Sequence, residues 1–149
     1  MKIEKANTED HILLTEITKK SKAYWGYSEE QLVLWNENLT LSKNYIQNNP
    51  TYKLLKNNNI IAYYSYLLQD ENVKLDNLFV LPEHIGKGYG KLLINDFLHR
   101  MKVENHNKII LDADPNSEKF YLKMGFKKIG QFESDIKNRF MPIMEIILK

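Results

Sequence analysis

The chain has 149 residues, 43% hydrophobic and 27% charged, with a formal net charge of +2 at pH 7. This length suits a single domain over residues 1–149 with a core of its own, and so small a net charge makes no case for a nucleic-acid partner. Cysteine is absent, which excludes a disulfide framework, a thiol nucleophile and a cysteine metal site; no apolar run approaches membrane-spanning length, and Met1-Lys2-Ile3-Glu4-Lys5 is no secretion signal, so the expected location is the cytoplasm, away from any membrane.

Lys2 to Ala6 is a candidate first strand, and Thr8 to about Lys20 a helix with Ile12, Leu13 and Ile17 apolar. Ser28-Glu29-Glu30-Gln31 has the pattern of a capping box and starts a second helix carrying Leu32 and Trp35. Asn49-Pro50 marks a loop, and Thr51 to Lys56 and Ile60 to Leu68 form a hairpin around Asn57-Asn58-Asn59. Val73 to Leu81 is a strand whose alternation breaks: Val73 and Leu75 alternate with Lys74 and Asp76, whereas Leu78 to Leu81 are all apolar. A β-bulge explains the break, and so does a half strand buried on both faces. The main helix runs from Gly88 to about Val103, with Leu93, Ile94, Phe97, Leu98 and Met101 at helical spacing. Lys108 to Asp112, a short helix at Asn116, Phe126 to Gln131 and Met141 to Leu148 complete the order β-α-α-β-β-β-α-β-α-β-β, an α+β arrangement.

The chemistry concentrates at the turn before the main helix. Gly86, Gly88 and Gly90 fall within five residues between an apolar strand and a helix N-terminus. Glycines permit positive φ, so successive amides can converge on one oxygen cluster. The first amides of a helix lack intrahelical partners, and the helix dipole is positive there. Lys87 and Lys91 add charge at the rim, so a phosphate or pyrophosphate is the expected ligand; a turn without a ligand is the alternative. No G-x-x-x-x-G-K-[ST] loop is present, and G-x-G-x-G is too short for the dinucleotide fingerprint. Those absences disfavour a nucleotide switch.

Leu78-x-Val80-x-Pro82 followed by Gly88-x-Gly90 resembles the pyrophosphate loop of the GNAT N-acetyltransferase superfamily, with Ile85 where that family usually has Arg or Gln. Asp114-Pro115-Asn116 leading to Phe120-Tyr121 and Gly125-Phe126 resembles the family's second signature, with a shorter interval between the Asn and the Tyr, as in a bacterial subgroup of undefined substrate. Asp114 can cap the short helix, with Pro115 first and Gly125 at its stop. Tyr64-Ser65, Leu75-Asp76 and Arg139-Phe140-Met141-Pro142 extend the resemblance over nearly the whole chain. It implies a central mixed, mostly antiparallel sheet of six or seven strands flanked by about four helices.

The resemblance also implies a function: transfer of an acetyl group from acetyl-CoA to a primary amine, by direct attack in a ternary complex, without a metal. Backbone at Leu78, Phe79 and Val80 would pair with the pantetheine arm. Ile85 to Lys91, with Tyr89 among them, would hold the pyrophosphate, and Asn116 would touch the cofactor. Tyr121 would face the thiol sulfur as the acid; a core aromatic is the alternative. Asp76 is the nearest carboxylate for a base acting through a water, or else it pairs with a neighbouring lysine. Tyr24, Trp25 and Tyr27 would form a cation–π or apolar wall for the amine, or a packing corner. Arg139 would bind a substrate carboxylate, or lie on the surface. Partners are then a small-molecule or peptide amine and, as is common in the family, a second copy in a homodimer. The other class in play is a GNAT-like coenzyme A-binding or interaction module without turnover. His84 is expected to face solvent, His11, His99 and His106 show no ligand spacing, and the Lys119, Lys123, Lys127, Lys128 cluster reads as a solvated face.

Overall fold

The computed structural model describes residues 1–149. In chain order, β1 (Lys2–Lys5) is followed by α1 (His11–Tyr24), α2 (Glu29–Leu34), α3 (Lys43–Asn48), β2 (Thr51–Lys56), β3 (Asn59–Leu68) and β4 (Val73–Val80). Then come α4 (Tyr89–Val103), β5 (Lys108–Asp112), α5 (Glu118–Lys123), β6 (Lys127–Glu133) and β7 (Phe140–Ile147). The seven strands are ordered β1-β2-β3-β4-β5-β7-β6. The β1/β2, β2/β3, β5/β7 and β6/β7 pairs are antiparallel and β4/β5 is parallel. A parallel pair needs a long crossover, which α4 supplies. The expected mixed, mostly antiparallel α+β sheet is therefore present.

The order differs from expectation by one helix. Residues 36–48 carry no strong periodicity, yet α3 forms, with the Ser42 hydroxyl accepting from the Tyr45 N–H at 3.0 Å and Ile46 buried. Burial also corrects the face of α1. Ile12 and Leu13 are 67% and 51% exposed, while Leu14, Ile17, Thr18 and Ser21 point inward. Two of these are polar, so apolar spacing alone could not locate the stripe; Thr18 is satisfied by the Leu14 carbonyl and the Tyr63 hydroxyl. The β2–β3 loop is tighter than expected. Only Asn57 and Asn58 form it, at φ 52° and 65°, as a two-residue turn with both central φ positive requires.

The chain forms two compact units. The first comprises Met1–Tyr66 and Asn77–Asn95. Its core gathers Ala6, Leu14, Ile17, Leu41, Ile46 and Tyr63, with Phe79 and Leu81 packed against it. The second comprises Leu67–Asp76 and Asp96–Lys149, with Phe97, Met101, Ile109, Leu111, Phe126 and Met144 buried. No helix is long and apolar enough to cross a membrane.

Candidate functional site

In the first unit, the Leu81 N–H just past the end of β4 donates to the Ile61 carbonyl at 2.9 Å. Pro82–His84 makes a single 3₁₀ turn. Gly86 and Gly88 then take φ of +82° and +87°, and α4 begins at Tyr89. The first hydrogen bond of α4 runs from the Leu92 N–H to the Gly88 carbonyl at 3.1 Å, so the amides ahead of Leu92 precede the helical ladder. A Cβ built on either Gly86 or Gly88 would meet nothing within 4 Å. Open space therefore lies in front of two left-handed residues at the positive end of a 15-residue helix. Gly90 is different: it lies inside α4. Lys87 and Lys91 are exposed, and the Lys56 ammonium lies 5.5 Å from the centre of the Tyr89 ring. Ile85 is half-buried with extended backbone.

His84 is not the solvent-facing residue that its turn suggested. It is half-buried, its ring meets Tyr89 edge-on at 5.8 Å, and its Nδ1 is buried without a hydrogen-bond partner.

The strand leading into this turn changes character where the alternation breaks. Val73 and Leu75 are buried, Asp76 is exposed, and Leu78, Phe79 and Val80 are all half-buried. That removes the reading of a segment buried on both faces. Pairing of β4 with β5 covers Val73 with Ile109 and Lys74 with Ile110, although β5 continues to Asp112. The Lys74 ammonium holds Asp112 at 2.9 Å. The Val80 carbonyl already accepts from the buried Ser21 hydroxyl at 2.6 Å. Asn77 donates its amide to Ser65 Oγ at 2.9 Å and to the Tyr45 hydroxyl at 3.2 Å, so a neutral polar cluster sits beside Leu78.

In the second unit, the Asp114 carboxylate caps the turn that precedes α5. Its Oδ1 accepts from the Asn116 backbone N–H and side-chain amide, each at 2.9 Å. Asn116 itself is exposed. Tyr121 on α5 is buried, with edge contacts to Phe120 at 5.1 Å and Phe126 at 5.6 Å. Burial pushes its phenol above the ordinary value of 10.0, so the hydroxyl keeps its proton through neutral and mildly alkaline pH. Gly125 closes the helix at φ +99°.

Arg139 is neither a surface residue nor open to a ligand on all sides. Its guanidinium donates to Asp114 Oδ2 at 3.1 Å, with the two side chains 12% and 9% exposed.

The aromatic residues at the end of α1 and just beyond it fall into two pairs. Tyr24 and Trp25 are exposed and meet edge-on at 5.1 Å. Tyr27 instead meets the buried Trp35 at 4.9 Å, and the Lys22 ammonium lies 5.8 Å and 5.6 Å from their ring centres. A cation of the chain's own thus already lies against the Tyr27 face. Ser21, Lys56 and Asn77 were not singled out as site neighbours by sequence reasoning, nor was the pairing of Asp114 with Arg139. Their partners lie far along the chain, and no local pattern signals them. No group of three or more His, Asp or Glu side chains is arranged to hold a metal ion.

The profile of a family described as "Acetyltransferase (GNAT) domain" matches residues 25–147. A [ribosomal protein bS18]-alanine N-acetyltransferase of Haemophilus influenzae is 30% identical over 115 residues, covering 76% of this chain and 75% of that protein. Among solved structures, the PaiA N-acetyltransferase of Thermoplasma acidophilum, in complex with coenzyme A, aligns with a TM-score of 0.80 at 23% identity, covering 99% of both chains. The ribosomal-protein-S18-alanine N-acetyltransferase of Escherichia coli aligns with a TM-score of 0.76 at 15% identity, covering 99% of this chain and 94% of the other. At those identities the two structures speak to the fold.

Proposed function

The chain belongs to the GNAT acetyltransferase family, and from that premise we propose that it transfers the acetyl group of acetyl-CoA to a primary amine by direct attack within a ternary complex. The observation that carries this reading is the turn at the start of α4, where Gly86 and Gly88 are left-handed with open space before them. Backbone amides and the dipole of α4 hold the cofactor's pyrophosphate there, with Lys87 and Lys91 contributing charge. Backbone, not side chains, does most of the holding, so Ile85 in place of a polar residue leaves the site workable.

The residues then divide the transfer as follows. The half-exposed end of β4 at Leu78 and Phe79 supplies backbone groups to the pantetheine arm, while the Val80 carbonyl is occupied by Ser21. Asn116 meets the cofactor from the capped turn. The acceptor amine gives up its proton to water oriented by the exposed Asp76. Its neutral nitrogen attacks the thioester carbonyl, the tetrahedral adduct gives its second N–H proton to the same water, and collapse breaks the C–S bond so that coenzyme A departs. Burial keeps the Tyr121 phenol protonated but makes it a weak acid, so its O–H hydrogen-bonds to the departing sulfur and passes its proton only as the thiolate charge develops, the water that took the amine's proton restoring the phenol. No cysteine is available to carry an acyl intermediate, which favours direct attack over a two-step exchange. The exposed Tyr24–Trp25 pair forms the acceptor's wall. The Haemophilus influenzae relative acts on an alanine of a ribosomal protein, so peptide α-amines head the acceptors to examine.

Free-thiol release from acetyl-CoA, measured across peptide and small-molecule amines, tests the reading. Turnover with at least one amine and intersecting initial-rate lines is the expected result. Coenzyme A binding without thiol release from any amine would favour the non-catalytic module. No binding of coenzyme A at millimolar concentration would remove the reading altogether.

A further inference from the structure

We propose that Arg139 and Asp114 are positioning residues for the transfer, acting as a clamp that fixes Asn116 and the start of α5, on which Tyr121 is carried. This inference rests on the acetyltransferase reading above.

The clamp is built from both ends. Asp114 Oδ1 takes both Asn116 donors, its carbonyl accepts from the Ser117 N–H at 2.8 Å, and its Oδ2 takes the Arg139 guanidinium. One carboxylate thus joins the turn and the β6–β7 connection. That connection is organised to deliver Arg139. The Ser134 N–H donates to the Arg139 carbonyl at 2.8 Å, and the Arg139 N–H donates to the Ile136 carbonyl at 3.1 Å. The Ser134 hydroxyl accepts from the Ile136 N–H at 3.1 Å, and Asn138, left-handed at φ 65°, donates its N–H to Glu133 Oε2 at 2.8 Å. Beside the clamp, the Ala113 N–H donates to the Pro142 carbonyl at 2.9 Å, tying the end of β5 to β7.

Two physical arguments point to positioning over stabilisation. α5 has only six residues, far short of the length at which an isolated helix holds itself, so its placement must be imposed from outside. A largely buried ion pair is a weak source of net stability, because desolvation offsets most of the Coulomb attraction. What the pair does supply is a fixed direction. It sets where the Asn116 amide points and where the first turn of α5 begins. Misplacing a reacting group by about 1 Å is enough to cost up to roughly 10²-fold in rate. This role also differs from Arg139 binding a substrate carboxylate, since its contact is with the chain's own Asp114.

The test is steady-state kinetics on the full chain with acetyl-CoA and the best acceptor amine. The variants are Arg139→Gln, Asp114→Asn, both together, and Arg139→Lys, all assayed well below their melting temperatures. The double variant leaves no unpaired charge, which keeps the comparison usable should a single variant fold poorly. Each single variant is expected to lower kcat/KM for acetyl-CoA by about tenfold. The double variant should be no worse than either single, the non-additivity of groups that act as one unit. Arg139→Lys should recover most of the loss, and the acceptor KM should stay within about twofold of wild type. Single variants equal to wild type overturn the inference. So does a rise in acceptor KM confined to the Arg139 variants with Asp114→Asn silent, which would return Arg139 to the substrate. Failure of the underlying reading looks different: a wild type that neither binds coenzyme A nor releases thiol overturns both.

Discussion

The Gly86–Lys91 turn and the Asp114–Tyr121 segment offer opposite ways of building a site. The first uses backbone: two left-handed glycines, a helix N-terminus and open space. The second uses side chains: a carboxylate cap, a buried guanidinium from a distant hairpin connection, and a phenol held between aromatic rings. Backbone devices depend on φ and on the absence of a Cβ, so they tolerate changes in neighbouring side chains. Side-chain devices depend on partners that only the folded chain brings together, and each has a single point of failure.

The largest effect should come from breaking the backbone device. Gly88→Val adds a β-branched side chain at φ +87°, where no protein atom lies within 4 Å of the new Cβ. The left-handed conformation then costs about 1–2 kcal/mol, tolerable for the fold, but the turn relaxes and its amides diverge. Losing two charge-assisted hydrogen bonds, each worth about 1.5–3 kcal/mol, weakens coenzyme A binding by at least ~10²-fold. Isothermal titration beside circular dichroism checks it; unchanged affinity would make the turn merely structural.

Next comes the side-chain device. Tyr121→Phe should leave cofactor affinity within a few-fold of wild type and lower turnover by ~10²-fold, the range for a positioned proton donor. A wild-type rate in this variant would leave Tyr121 as packing and assign proton delivery to water.

The same residue allows a test of its environment without any substrate. Burial raises the Tyr121 pKa in the folded state above the unfolded value near 10. Above that pH the unfolded chain loses the proton first and binds fewer protons than the native state. The stability associated with the neutral phenol is therefore present below pH ~10 and declines by up to about 1.4 kcal/mol per pH unit above it. Tyr121→Phe should flatten the alkaline fall of the melting temperature relative to wild type. Parallel curves would mean that water reaches the hydroxyl.

The smallest effect probes the anchoring of β4. Ser21→Ala removes the donor to the Val80 carbonyl and should cost about 1 kcal/mol by denaturant unfolding, with the m-value unchanged. A loss well beyond that would show that α1 does more than satisfy one carbonyl.

Local patterns determined much of this protein. The strand, glycine turn and helix from Val73 to Val103 follow from residues that are neighbours in the chain, so periodicity and glycine spacing reveal them. The same holds for the Asp114 cap with Pro115 behind it. Where the local signal was weak, it misled or fell silent. α3 has one buried residue and a serine cap, and the inward face of α1 includes Thr18 and Ser21, which no hydrophobic pattern marks. Tertiary structure alone decided the rest. Ser21 meets Val80 across 59 positions, and Arg139 meets Asp114 across 25. Such contacts carry no local signature, because a polar side chain reads the same in sequence whether water or a distant carboxylate satisfies it. The folded chain makes that choice by excluding water, and it thereby paired Arg139, which the sequence left open between a substrate carboxylate and the surface, with the cap that holds Asn116.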